Sequence, residues 1–113
     1  MRVLLVDDNR DVREMLCDGL SEMGHECTSV STLAQGRAEL AASKYDAVVA
    51  DSGLPDGNGL DLAVEAEAKH IRSVVITGQP IAMRMLDRRK IAHLRKPFSL
   101  SELDSAINGR FWA

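Results

Sequence analysis

Short, continuous and largely apolar runs recur along this chain, at residues 3–6, 47–50, 73–77 and 91–94. Runs of this length without polar alternation are typical of strands that are covered on both faces. Stretches of helical period lie between them; in the first, Val12, Leu16, Leu20 and Met23 recur at three- and four-residue spacing. This alternation predicts repeated strand–helix units around a parallel sheet.

Turn-forming and helix-capping residues set approximate bounds for each strand and helix. Strands are predicted at residues 3–6, 26–30, 45–50, 73–77 and 91–94, with 26–30 at an edge because of its Thr and Ser content. Helices are predicted at residues 11–23, 33–43, 60–70, 81–89 and 102–107. Ser31 or Thr32 is expected to cap the second helix, and Ser99 or Ser101 the last. The fold class is α/β, a doubly wound five-stranded parallel sheet whose fourth helix is short or irregular.

Size and charge narrow the class of protein. A chain of 113 residues is predicted to form a single domain over residues 1–113. Its formal net charge of -3 argues against direct binding of nucleic acid. No secretory signal or membrane-spanning run is visible, so a cytoplasmic protein is predicted. Cys17 and Cys27 lie outside any metal-ligand or Cys-x-x-Cys spacing; two reduced thiols are expected, and a regulatory thiol pair is left open as the alternative.

Acidic residues follow two of the predicted strands. Asp7 and Asp8 come directly after the run at residues 3–6, and Asp51 directly follows 47–50. Because parallel strands end at the same edge of a sheet, these acids are expected to share a pocket. Adjacent carboxylates repel each other unless a cation joins them, and Mg²⁺ prefers such oxygen ligands. We therefore predict a Mg²⁺ site, held by Asp8 and Asp51, by Asp7 through water, and by a backbone carbonyl of the following loop.

Two further polar groups follow the fourth and fifth strands. These two groups are Thr77, which on its own is most simply a β-branched strand residue, and Lys96, which on its own is most simply a surface lysine. Asp51 on its own is most simply a helix cap or a turn residue. Five polar groups at successive strand ends are harder to explain by capping. An Asp carboxylate can act as a nucleophile toward phosphorus, and an ammonium and a hydroxyl can then neutralise the transferred oxygens. This set predicts phosphoryl transfer.

The chain resembles the receiver domain of two-component response regulators, with a CheY-like and flavodoxin-like sheet. The resemblance covers nearly the whole chain and is carried by motifs at residues 6–9, 51–59, 77–78 and 96–98. It implies that Asp51 accepts phosphate from a histidine kinase or histidine phosphotransfer protein. It also implies Mg²⁺ at Asp7, Asp8, Asp51 and the carbonyl of Gly53, and a cis peptide bond between Lys96 and Pro97. Thr77 and Lys96 would be the switch residue and phosphate ligand.

Two features depart from this pattern. His93 stands where the family usually places an aromatic switch residue; inward and outward rotamers are both open, as is a partly exposed histidine with no switching role. The segment between Thr77 and Lys96 is shorter than usual and basic, with Arg88-Arg89-Lys90 where a glycine is expected. This predicts an altered fourth helix, and it leaves open a solvated face or a docking patch for an acidic partner.

Three hypotheses follow. The first is a phosphorylated signalling switch that catalyses only its own phosphorylation and dephosphorylation and acts on an unidentified downstream protein, with no contact to membrane. The second is a binding module of the same fold that signals without phosphate. The third is a flavodoxin-like cofactor binder, which Asp7 and Asp8 disfavour because they would repel a flavin phosphate. Neither the target nor the presence of further domains can be predicted from the sequence.

Overall fold

The computed structural model describes residues 1–78 and 91–108. Five strands form one parallel sheet in the order β2-β1-β3-β4-β5. Their bounds are β1 Arg2–Val6, β2 Glu26–Val30, β3 Ala47–Asp51, β4 Arg72–Thr77 and β5 His93–Arg95. The predicted α/β class and the edge position of the second strand are confirmed. The strand bounds agree with the prediction to within two residues; for the site it matters that β3 extends to include Asp51 and that β5 begins at His93 rather than Ile91.

Helices lie on both faces of the sheet. Within the described ranges they are α1 Arg10–Glu22, α2 Leu33–Ala42, α3 Gly59–Ala68 and α4 Leu100–Ile107. The helix predicted at residues 81–89 lies outside the described residues, so α4 here is the last predicted helix. No helix in residues 1–78 or 91–108 combines the length and the apolar character that a membrane crossing requires.

Each helix begins at a side chain that caps its free N–H groups. Asn9 caps α1, Thr32 caps α2 and Asn58 caps α3. Ser99 caps α4 in a capping box, where its hydroxyl accepts from the Glu102 N–H and the Glu102 carboxylate accepts from the Ser99 N–H. Of the predicted alternatives, the caps are therefore Thr32 rather than Ser31 and Ser99 rather than Ser101. Capping fixes where α1 and α3 start relative to the strand ends that precede them.

Strand residues alternate between two cores. On the first face, Val3, Leu5, Val49, Val74 and Ile76 pack with the inward residues of α1 and α4. On the second face, Leu4, Val6, Val48 and Ala50 pack against α2 and α3, and Val75 packs with Leu60 and Ala63 of α3. We call these the α1/α4 face and the α2/α3 face. Because successive side chains point to opposite faces, the last residue of each strand projects toward a defined side.

The two cysteines correct one expectation. Cys17 of α1 and Cys27 of β2 form a disulfide with a Cα–Cα separation of 5.4 Å, so the expectation of two reduced thiols is wrong for this structure. Both side chains pack at the margin of the α1/α4 core. The chain reverses between α1 and β2 through Gly24, whose φ is +92°, and this reversal brings the two residues together. A short-range motif test misses such a pair because tertiary packing creates the contact.

Candidate functional site

Three carboxylates meet at the carboxyl edge of the sheet. One oxygen from each of Asp7, Asp8 and Asp51 lies within 4.8 Å of the others. Asp7 follows the end of β1 and Asp51 ends β3, two strands that pair directly. Asp7 and Asp51 are buried, whereas Asp8 is exposed to solvent. The structure therefore brings the three predicted acids together in one cluster.

Asp7 is the acid most in need of a cation. The Asn9 N–H donates to its Oδ1 at 2.9 Å, and the Arg13 guanidinium donates to its backbone carbonyl at 2.8 Å. Its Oδ2 is buried and has no hydrogen-bond partner among the described residues. Burial raises the pKa of Asp7, and the neighbouring charges of Asp51 and Asp8 act in the same direction, against the Asn9 N–H and Lys96. A buried carboxylate in this state is stabilised by any cation that reaches it.

Lys96 supplies positive charge from the fifth strand. Its Nζ lies 3.1 Å from Asp51 Oδ2 and 3.7 Å from Asp7 Oδ2, and its side chain is 37% exposed. The Lys96 backbone N–H donates to the Thr77 carbonyl at 2.8 Å, which ties the end of β5 to that of β4. The peptide bond to Pro97 is cis, the isomer that was predicted. The ammonium is thus held beside Asp51 at the open side of the pocket.

The surroundings of Asp51 depend on two glycines. The Gly53 N–H donates to Asp51 Oδ1 at 3.2 Å, so the backbone of the following loop lies beside the carboxylate. Gly59, the first residue of α3, lies directly against the Asp51 carbonyl, where a Cβ would overlap the backbone oxygen. Only glycine fits there without displacing the end of β3. A close backbone approach of this kind has no local signal, so the sequence did not predict this role for Gly59.

This donor set fits a magnesium ion. Three carboxylates supply hard oxygen ligands, and the Asp7 oxygen that lacks a hydrogen-bond partner faces the same cluster. The predicted backbone ligand, Gly53, is adjacent to Asp51. Asp8 is exposed and can approach an ion from the solvent side. The residues that would hold Mg²⁺ are therefore Asp7, Asp8, Asp51 and the loop at Gly53.

Thr77 and His93 lie on the other side of the sheet. Thr77, the last residue of β4, is fully buried, and the Ser52 hydroxyl donates to its Oγ1 at 2.7 Å. His93 pairs with Val75 in β5 and is only 8% exposed, with its Nδ1 2.8 Å from the Ile91 carbonyl oxygen. The alternative of a partly exposed His93 is therefore wrong. A switching role for Thr77 and His93 remains a prediction.

Sequence reasoning missed two contributors to the site. Arg13 contacts the Asp7 carbonyl from the first turn of α1, and its position one helical turn after the Asn9 cap was the available signal. Ser52 carried no signal, since a serine after a strand is usually a turn residue. Two residues beside the pocket have structural roles instead: Asn9 caps α1, and Arg10 pairs with Glu14 on the surface.

Comparison with known proteins identifies the class to which this arrangement belongs. A family model described as the response regulator receiver domain matches residues 3–108. The chain is similar to the transcriptional regulatory protein PdtaR of Mycobacterium tuberculosis, with 34% identity over 94% of this chain and 54% of that protein. It is also similar to the DNA-binding transcriptional regulator NtrC of Azospirillum brasilense, with 30% identity over 93% of this chain and 23% of that protein. The chain thus spans about half or less of these relatives.

Solved structures share the whole fold. The response regulator protein TrrA from Thermotoga maritima, in complex with Mg²⁺-BeF, has a TM-score of 0.85 and 25% identity over 96% of this chain and 97% of that chain. The beryllofluoride-activated NtrC4 receiver domain dimer has a TM-score of 0.83 and 27% identity over 98% of this chain and 96% of that chain. Both likenesses extend across the strands whose ends form the acid cluster.

Proposed function

The chain belongs to the response regulator receiver domains of two-component signal transduction, and from this premise we propose that Asp51 is the residue on which it accepts a phosphoryl group. The observation that carries this assignment is the position of the Asp51 carboxylate, which Lys96 contacts at 3.1 Å and which lies in one cluster with Asp7 and Asp8. Asp7 shares this cluster and lies 3.7 Å from Lys96, but its side chain is fully buried, whereas Asp51 has the shorter contact and reaches solvent. We propose that residues 1–113 act as one such domain.

The proposed reaction is a transfer to carboxylate oxygen. An oxygen of Asp51 attacks the phosphorus of a phosphohistidine; the P–O bond forms as the P–N bond breaks, and the donor imidazole leaves with the bonding electron pair. Mg²⁺, when bound at the acid cluster, would neutralise charge on the transferred oxygens. Lys96 holds its ammonium beside Asp51 and stabilises the same oxygens from the opposite side. Hydrolysis of the aspartyl phosphate restores the carboxylate.

We propose a histidine kinase or a histidine phosphotransfer protein as the donor and a protein as the downstream target. Asp51 is 8% exposed and Lys96 more than a third, so a donor imidazole can approach from solvent. The principal role of the chain is signalling, and the chemistry proposed for it is limited to its own phosphorylation and dephosphorylation. Its cytoplasmic localisation stays a prediction.

The phosphorylation-independent alternative receives no specific support from the described residues. It was motivated by the altered segment between Thr77 and Lys96, and residues 79–90 of that segment lie outside the described part of the chain. The acid cluster and Lys96, by contrast, are chemistry that a purely structural module has no need to assemble.

The experiment compares the chain with Asp51→Asn in the presence of Mg²⁺ and acetyl phosphate. We expect the wild-type chain to gain one phosphoryl group in its intact mass, and Asp51→Asn to gain none. Asp18→Asn, an exposed carboxylate in the middle of α1, is the matched control and should behave as wild type. Equal phosphorylation of Asp51→Asn and wild type would refute the assignment, as would absence of phosphate from the wild-type chain with every small donor and kinase tried.

A further inference from the structure

Two hydroxyl groups form a short buried contact directly beneath the acid cluster. Ser52 follows the last residue of β3, and its backbone N–H donates to the Ile76 carbonyl at 2.9 Å, which continues the sheet by one residue. This places Ser52 next to Thr77 at the end of β4. The Ser52 hydroxyl donates to Thr77 Oγ1 at 2.7 Å, and both residues are buried. The strand ends are therefore joined by side chains as well as by backbone.

Strand alternation puts this pair on the side of the sheet away from the Asp51 carboxylate. Val49 and Ile76 pack on the α1/α4 face, and Asp51 shares the alternation of Val49. Ala50 and Val75 pack on the α2/α3 face, and Ser52 and Thr77 continue their alternation. The bond to Ser52 therefore draws the Thr77 hydroxyl toward the α2/α3 face. A hydroxyl in this position has to reorient before it can reach an oxygen of a phosphoryl group on Asp51.

We propose that Ser52 is a positioning residue that holds the Thr77 hydroxyl in the resting arrangement, and that this bond breaks when Thr77 contacts the phosphoryl group. The inference rests on the proposed function, since it assumes that Thr77 is a ligand of the phosphorylated state. Ser52, the residue after the phosphoacceptor, would then help to set the equilibrium between the resting state and the state in which Thr77 contacts the phosphoryl group. Ser52 itself neither touches the phosphoryl group nor binds the metal in this account.

The expected effect follows from which state keeps the hydrogen bond. Removal of the Ser52 hydroxyl leaves Thr77 one bond short in the resting state and changes nothing in a state where the bond is already broken. The balance then shifts toward the liganded state by the net value of one buried hydrogen bond. Beryllofluoride, a mimic of the phosphoryl group, should bind Ser52→Ala roughly 3- to 10-fold more tightly than wild type.

The test measures the dissociation constants of beryllofluoride at saturating Mg²⁺ for wild type, Ser52→Ala, Thr77→Ala and the double variant. Tighter binding by Ser52→Ala that disappears in the Thr77→Ala background supports the inference, because coupling of this kind appears only when two side chains act together. Ser52→Thr, which retains a hydroxyl, should restore the wild-type constant. The affinity for Mg²⁺ alone should be the same in wild type and Ser52→Ala, since no metal ligand is changed.

Ser73→Ala is the matched control. Ser73 is likewise a buried serine, and its hydroxyl donates to Glu67 at 2.9 Å, but it lies at the opposite end of β4. This variant should lose stability without any gain in beryllofluoride affinity. Should Ser52→Ala fail to fold, Ser52→Cys gives the same comparison with a side chain of similar size that is a much weaker donor.

The outcomes separate this inference from the proposed function. If the wild-type chain binds beryllofluoride and Ser52→Ala binds it equally or more weakly, the positioning role is refuted and the proposed function stands. An equal gain in Ser52→Ala and in Ser73→Ala would also refute it, because general loosening of β4 would then be the cause. If the wild-type chain binds no beryllofluoride with Mg²⁺ present, the proposed function fails and the inference fails with it.

Discussion

The two faces of the sheet carry different kinds of interaction at the same edge. On the α1/α4 face, the Lys96 ammonium lies within 4 Å of the Asp7 carboxylate and of the Asp51 carboxylate and forms an ion pair with each. On the α2/α3 face, the hydroxyls of Ser52 and Thr77 form one short hydrogen bond between neutral groups. Asp51 and Ser52, one from each set, are consecutive residues at the end of β3. The sheet thus keeps the charge chemistry on one side and the uncharged contact on the other.

This difference predicts how each face responds to substitution. A buried or half-buried charge that loses its partner costs much more than a neutral group that loses one hydrogen bond. Changes on the charged side should therefore alter phosphorylation strongly. Changes on the neutral side should alter the balance between states while the chemistry continues.

The largest effect is expected for Lys96→Met. This change leaves Asp51 without its contact at 3.1 Å and removes the cation that faces the transferred oxygens. We expect the initial rate of phosphorylation by acetyl phosphate to fall by about 100-fold, the scale seen when one stabilising donor is removed from a site of this type. Lys44→Met, which changes an exposed lysine before β3, is the control and should leave the rate unchanged. A rate within a fewfold of wild type would contradict the expectation that changes on the charged face alter phosphorylation strongly.

Gly59→Ala should disturb both faces at once. A Cβ at Gly59 would overlap the Asp51 carbonyl, so the end of β3 or the start of α3 has to move. We expect a loss of about 1–3 kcal/mol in the free energy of unfolding, the usual cost of forcing an extra methyl into a packed position. Gly53→Ala has open space around the added carbon and serves as the stability control. Urea denaturation measures both variants, and equal losses would show that the close approach does not constrain the strand end.

Asp7→Asn tests whether the charged face is unstable without a cation. Burial raises the pKa of Asp7, so the folded chain holds this proton more tightly than the unfolded chain. The resulting stabilisation is complete below the ordinary carboxyl value of 3.8 and is lost as the pH rises through the raised value. At neutral pH without metal, Asp7→Asn should therefore be more stable than wild type, by about 1 kcal/mol.

Magnesium should reverse that order. Mg²⁺ stabilises any chain that binds it only when folded, and at 100 times the dissociation constant the gain is about 2.7 kcal/mol. We expect thermal unfolding to show this gain for wild type and much less of it for Asp7→Asn. Asp11→Asn, an exposed acid in the first turn of α1 just beyond the cluster, is the control and should gain as much as wild type. If Asp7→Asn is less stable than wild type in metal-free buffer, the buried Asp7 carboxylate does not destabilise the metal-free fold.

The same division explains what the sequence could predict. Asp7, Asp8, Asp51 and Lys96 were found because charged residues after apolar strands have few structural uses, and the common edge of a parallel sheet brings them together. Ser52 and Gly59 were missed because a neutral hydroxyl bond and a backbone contact depend on register and on the start of α3. The Cys17–Cys27 bond was missed for the same reason, since it depends on how α1 packs beside β2. Charged residues that follow apolar strands can be recognised in the sequence, whereas contacts between neutral groups depend on packing and cannot.

The smallest effect is expected at His93, which tests the neutral face without its hydroxyl pair. The His93 ring contacts the Ile91 carbonyl and is buried beside Val75, whereas Asp51 lies on the other side of the sheet. His93→Phe keeps a ring in this position and removes the nitrogen that faces the carbonyl. Urea denaturation should show a loss of about 0.5–1.5 kcal/mol, the net value of one hydrogen bond. The initial rate of phosphorylation by acetyl phosphate should change less than about twofold, since no charge on the α1/α4 face is altered. A fall in rate similar to that of Lys96→Met would place His93 within the charged site, and the two faces could then no longer be treated as separate.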